Sequence, residues 1–240
     1  DCVSCLVGSE MCIRDSASTL DQRLENKLAL QREANLPEAP DVPLIGIISR
    51  LTDSKGFDIL GEAIDHILDL GVQFVLMGTG DQHYHELFSK MVQQYPQQAA
   101  IFLTFNTPLA QRIYAGSDMY LMTSRFEPCG TSQLIAMHYG SVPIVRATGG
   151  LADTVQDYDP RTEQGTGFVF KPYDRWALFT AIVRAVEIYK HRDLWRQIQV
   201  RGMHADFSWE RSALKYVDLY RRAVASRLQR PGLEEYQVEA

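Results

Sequence analysis

The chain has 240 residues, 45% of them apolar and 22% charged, with a formal net charge of -6. That is enough material for one or two ordinary cores. The acidic balance, without a long Lys/Arg run, excludes the electrostatic footprint of a nucleic-acid binder, and no apolar run approaches the ~18–20 residues of a membrane helix. Neither nucleic acid nor membrane is therefore expected as a partner. The opening tract DCVSCLVGSEMCIRDS shows no helical or strand period, no initiator Met and no signal-peptide pattern, and residues 1–17 read as a foreign leader. Cys2, Cys5 and Cys12 lie in it, while Cys129 stands alone far along the chain. Cys2 and Cys5 have a C-x-x-C spacing, but a closed zinc site needs four ligands and the next histidine is His66, so no metal is expected. A large apolar chain with a lone mid-chain thiol reads as intracellular, and the expected location is the cytoplasm.

Leu24, Leu28 and Ala29 mark an amphipathic stretch closed by Asn35, Pro37 and Pro40, a connecting helix and linker over 18–42. Short apolar runs follow at 44–48, 74–77, 100–104, 119–122, 142–145 and 168–170. Between them, 57–70, 82–94, 108–115, 132–139 and 151–157 carry apolar residues at three- and four-residue spacing. Strands apolar throughout, each followed by a helix, imply a parallel sheet covered on both faces, so the fold class is α/β with a doubly wound, six-stranded Rossmann-like sheet. Helical patterns at 176–189, 194–201 and 209–227 form a C-terminal helical tail; the domain with its helices spans 43–228, and 229–240 reads as a disordered end.

Ligands of such sheets bind beyond the carboxyl ends of the strands, which directs attention to the residues after each run. After the first comes Ser49-Arg50-Leu51-Thr52-Asp53-Ser54-Lys55-Gly56. Arg50 and Lys55, on a loop entering a helix, suit a diphosphate, since Arg binds two oxygens as a fork and Lys supplies a point charge. A solvated loop with a glycine-led helix start reads equally from the same residues. Gly78-Thr79-Gly80-Asp81 allows close backbone approach and a helix cap, but it falls short of G-x-G-x-x-G and argues against NAD. Phe105, at the end of the third run, could stack on a flat base or belong to the core.

The densest cluster follows the fourth run: Thr123-Ser124-Arg125-Phe126-Glu127-Pro128-Cys129-Gly130-Thr131-Ser132-Gln133. The successive N–H groups of Gly130, Thr131 and Ser132 at a helix start make an anion site, and Glu127 beside it could accept from sugar hydroxyls. A plain helix cap with a solvated Glu127 is the alternative. Cys129 invites a nucleophile reading, but no Cys/His/Asn trio is apparent, and a small buried thiol is the commoner role. Arg146-Ala147-Thr148-Gly149-Gly150-Leu151 is a second glycine turn ahead of a helix.

The tracts SRLTDSKG, LMGTGD, AGSDMYLMTSRFEPCGTSQL, VPIVRATGGLADTV and FSWERSA, in this order, resemble the C-terminal half of bacterial glycogen/starch synthases over residues 20–224. These are retaining glucosyltransferases of the GT-B fold that use ADP-glucose. The resemblance implies that Arg50 and Lys55 bind the distal phosphate, that Glu127 holds glucose hydroxyls, and that the amides of Gly130, Thr131 and Ser132 cradle phosphates. It puts Cys129 in the same pocket without making it a nucleophile, places Phe105 on adenine, and counts Gly80 among the substrate-binding residues. Arg50, Lys55 and Glu127 form its catalytic set, with no metal and no cofactor. Related glycosyltransferases often carry a second glutamate eight residues after the first; Ile135 stands there, as synthases of this group commonly lack that acid. The resemblance further implies a missing N-terminal GT-B domain that carries the groove for the α-1,4-glucan acceptor, leaving this chain as the donor-binding half, inactive alone. Two other readings share the motifs: a UDP-sugar-dependent sucrose- or trehalose-type glucosyltransferase, and a non-catalytic nucleotide- or glucan-binding module.

Overall fold

Strands β1 (Leu44–Ile48), β2 (Gln73–Met77), β3 (Ala99–Phe102), β4 (Met119–Met122), β5 (Val142–Arg146) and β6 (Phe168–Phe170) form one sheet in the order β3-β2-β1-β4-β5-β6. Every pairing is parallel. The computed structural model describes residues 20–228, so the leader expected over 1–17 and the end expected over 229–240 lie outside the described residues. The chain divides between His204 and Ala205 into two compact units, a boundary that falls inside the expected 43–228 stretch.

In the first unit, the strands alternate side chains between two covered faces, which is why they read as apolar throughout. Ile45, Ile47, Phe74, Leu76, Met119, Leu121 and Ile144 join the larger core, built with α2 (Phe57–Leu68), α3 (Gln82–Gln94), α7 (Arg175–Tyr189) and α8 (Arg192–Met203). Their neighbours Leu44, Val75 and Met77 pack with α1 (Arg23–Glu33) and α4 (Thr107–Gly116), Tyr120 with α5 (Ser132–His138), and Val145 with α6 (Gly149–Thr154). Several boundaries moved by one to three residues from their sequence expectation, among them those of β3 and α6. β3 stops at Phe102, where the Thr104 amide turns back on the Phe102 carbonyl at 2.8 Å. α6 begins at the glycine pair instead of after it, for a steric reason given below.

The stretch expected as connecting helix and linker is packed into this unit. Leu30 is fully buried, and Lys27 is buried with its Nζ 2.7 Å from Asp118 Oδ2 and donating to the carbonyls of Pro40 and Val42 and to Tyr189 Oη. Burial pushes the Lys27 pKa down, against the opposing pull of Asp118. Asp118 also accepts from the Leu44 amide at 2.9 Å, so one buried ion pair ties α1 to the starts of β1 and β4. The second unit, described by itself, holds α9 (Trp209–Leu228), whose entry is fixed by Asp206 accepting from the Ser208 amide at 2.9 Å.

Candidate functional site

The strand order reverses between β1 and β4, and ligands of open α/β sheets bind at such a switch point, beyond the carboxyl ends of the strands. There a crevice of about 230 Å³ is lined by Ser49, Lys55, Thr123, Ser124, Glu127 and Ser132 among others.

Its floor is made by the two loops lying side by side. The Arg125 amide donates to the Ser54 carbonyl at 2.9 Å, and Thr123 Oγ1 donates to the Lys55 carbonyl at 2.7 Å. Between them Gly56 takes a left-handed φ of +76°, and a Cβ there would lie 2.1 Å from the Thr123 carbonyl oxygen. Only glycine permits that crossing. Tyr84 of α3 donates to Asp53 Oδ1 at 2.5 Å, fixing the short 3₁₀ turn Asp53–Lys55 from the other side; burial and this hydrogen bond both push the Tyr84 phenol up.

On this floor Lys55 Nζ and Glu127 Oε2 meet at 2.6 Å. Ser124 Oγ donates to the same oxygen at 2.9 Å, and Glu127 is buried, 9% exposed, so it is not the solvated carboxylate of a plain cap. The Glu127 loop is clamped from below by α6: the Gly150 amide donates to the Glu127 and Pro128 carbonyls at 3.1 and 3.2 Å. A Cβ on Gly150 would sit 1.7 Å from the Cys129 carbonyl oxygen, which is why the helix itself must start with glycine.

The remaining sequence candidates are spread around the rim. Arg50 is exposed and, among the described residues, has no acid within ion-pair distance. Thr131 and Ser132 line the crevice; Gly130, at φ +68°, and Cys129 lie outside its lining. Cys129 is exposed, correcting the expectation of a small buried thiol, and its carbonyl accepts from Gln133 Nε2 at 3.4 Å. Phe105 is 61% exposed just ahead of α4, so it is not core. Gly80 forms a bridge with Leu51, and its amide already donates to His85 Nε2 at 3.1 Å.

The structure adds a group that the sequence reading passed over. Tyr173, in the loop after β6, donates to Asp58 Oδ1, and Arg125 Nη2 donates to Asp58 Oδ2 at 2.8 Å. Arg125 and Arg146 lie over the Tyr173 ring at 4.5 and 5.2 Å, and Arg146 donates to the Arg125 carbonyl at 2.8 Å. Burial opposes ionisation of Asp58, but the hydrogen bonds from Tyr173, the Ile59 amide and Arg125 outweigh it and hold the carboxyl below its usual range. This cluster fastens the loop that carries Glu127 to α2. The rule that strand ends carry ligands, applied to Lys171-Pro172-Tyr173-Asp174 as to the earlier loops, is the signal that points to it.

A doubly wound parallel sheet with a charged crevice at its switch point is a Rossmann-like ligand-binding domain, the architecture of one half of a GT-B glycosyltransferase. Residues 31–199 match the family model described as "Glycosyl transferases group 1", and the chain belongs to that family. It is 52% identical over 205 residues to a glycogen synthase of Desulforudis audaxviator, covering 85% of this chain and 41% of that protein. A glycogen synthase of Gloeobacter violaceus is 49% identical, with 87% of this chain and 46% of that protein covered. Among solved structures, the catalytic domain of Starch Synthase IV from Arabidopsis thaliana, bound to ADP and acarbose, superposes with a TM-score of 0.79 at 39% identity, covering 88% of this chain and 44% of that one. The chain thus spans less than half the length of these three relatives. No helix of the described residues is long and apolar enough to cross a membrane.

Proposed function

We propose that the chain is the donor-binding half of a cytoplasmic, retaining glucosyltransferase that moves glucose from ADP-glucose to the non-reducing end of an α-1,4-glucan. The observation that carries this is the meeting of Lys55 and Glu127 at the switch point, in a chain half identical to glycogen synthases. The first unit, with α1 packed into it, is the donor domain, and a counterpart domain supplies the acceptor groove.

In this reading Arg50 and Lys55 take the distal phosphate and stabilise the charge that develops on the departing diphosphate, an electrostatic effect that grows as water is excluded. Gly130, Thr131 and Ser132 present amides to the phosphates, Glu127 accepts from glucose hydroxyls, and Phe105 stacks on adenine. Gly80 shapes the loop beside Leu51, and the exposed Cys129 borders the pocket, where alkylation blocks entry. A GT-B site is completed between two domains, and closure excludes water, so this half alone binds donor without transferring glucose. The choice of ADP draws support from the Arabidopsis relative bound to that nucleotide.

Calorimetric titration with ADP and UDP tests the donor, with UDP expected to bind about tenfold more weakly, a difference of ~1.4 kcal/mol. Equal affinity would return the UDP-sugar reading. Turnover of ADP-glucose onto glycogen by this chain alone, at the rate of a whole synthase, would sink the half-site proposal.

A further inference from the structure

The cation assigned to a phosphate already has a counter-ion inside the crevice. Lys55 Nζ lies 2.6 Å from Glu127 Oε2, which also accepts from Ser124. Oε1 carries no hydrogen bond among the described residues, on a carboxylate that lines the cavity. One oxygen of Glu127 is thus committed to the protein and the other is open to a ligand.

We propose that Glu127 makes the site select the nucleotide-sugar over the nucleoside diphosphate that leaves after transfer; this rests on the reading of Arg50 and Lys55 as phosphate ligands. The two molecules differ in what they bring to Oε1. A sugar brings hydroxyl donors, which a carboxylate accepts. A free terminal phosphoryl group brings only acceptors and a charge of about −1.5 to −2 at neutral pH, whereas the same phosphorus esterified to sugar carries a single charge. In a partly dry crevice, like charges a few ångströms apart repel far more than in bulk water. Glu127 therefore both repels the free diphosphate and competes with it for Lys55. For the nucleotide-sugar the same competition is offset by hydroxyl hydrogen bonds to Oε1. The outcome is a site that lets go of its product once the glucosyl group has left, a property that a crevice lined by cations alone would lack.

The test is calorimetric titration of the full chain and its Glu127→Gln variant with ADP and with ADP-glucose. The glutamine keeps the shape and can still accept from Ser124. Glu127→Gln is expected to bind ADP about three- to tenfold tighter and ADP-glucose no tighter. Unchanged or weaker ADP binding would overturn the inference and make Glu127 a holder of Lys55 alone. A second measurement uses the β-methyl ester of ADP, which removes one terminal charge: the ratio of ADP to ester affinity is expected to be about threefold higher in Glu127→Gln than in the unmodified chain, a ratio within one protein that a partial folding defect does not move. An unchanged or lower ratio overturns the inference as well. Arg50→Ala separates the two levels. If it weakens ADP binding while both arms above fail, the phosphate reading stands and this inference falls; if it leaves ADP binding intact, the phosphate reading is at fault.

Discussion

The two sides of the crevice are built differently. Where the loops after β1 and β4 meet, backbone hydrogen bonds join them and Lys55, Ser124 and Glu127 are already engaged with one another. On the other side, Arg50 and Phe105 face solvent, and the Gly80 amide is taken by His85. In the proposed reading, sugar and phosphate meet a preformed wall at Lys55 and Glu127, while Arg50 and Phe105 are left for the ligand, or for a facing domain, to order. Preorganised groups hold charge without reorganisation cost, so the rigid side is where charge stabilisation during transfer is expected.

Substitutions on the two sides should therefore divide between stability and affinity. The largest effect is expected at the clamp beneath Glu127: Gly150→Ala drives a methyl group into the Cys129 carbonyl and should cost roughly 3 kcal/mol. That corresponds to a fall in melting temperature of about 6–12 °C in a scanning experiment. Next, Arg50→Ala and Lys55→Ala should each weaken ADP binding by roughly 1.5–3 kcal/mol. Only Lys55→Ala should also destabilise the fold, by about 1–3 kcal/mol, because it strands a buried carboxylate. Equal stability of the two variants in urea would erase the contrast between the sides.

Tyr173→Phe should cost about 1 kcal/mol of urea stability, since the ring stays beneath Arg125 and only the bond to Asp58 is lost. The contribution of Asp58 carries a pH signature. Its carboxyl is held below the usual range, so its stabilisation is complete above about pH 5 and is lost as pH falls through the lowered folded value. The stability difference between the unaltered chain and Asp58→Asn should be flat from pH 7 to about 5 and shrink below; a difference that grows in acid contradicts the assignment. The smallest effect is expected at Phe105→Ala, which should weaken ADP binding by about 0.5–1.5 kcal/mol and leave stability unchanged.

The sheet and the rigid side of the site were legible in the sequence for the same reason. Parallel strands buried on both faces read as short apolar runs, and the switch-point rule then directs attention to the loops that follow β1 and β4, where Lys55 and Glu127 meet. What stayed hidden depends on contacts between distant positions. Asp58 sits in the first turn of an amphipathic helix, where an acid reads as a solvated residue that favours the helix dipole; its partner Tyr173 is 115 positions away. Lys27 likewise reads as surface charge, and only the fold brings Asp118 and two linker carbonyls around it. The glycine pair at 149–150 signalled a turn, yet its glycines are there because another loop's carbonyl crosses the first turn of α6.

The strand order also sets a schedule for synthesis. The partners of β1 and β2 in β2 and β3 are made before β4 is, so the second edge of β1, where Ile45 faces Met119, is the one whose partner is translated last. At about 5–20 residues per second that edge stays unpaired for several seconds, as an apolar strand open to any neighbouring chain. The central strand of the finished sheet is thus the margin of the nascent one, and α1, translated before it, packs on one face of that strand through Leu30 and Leu44.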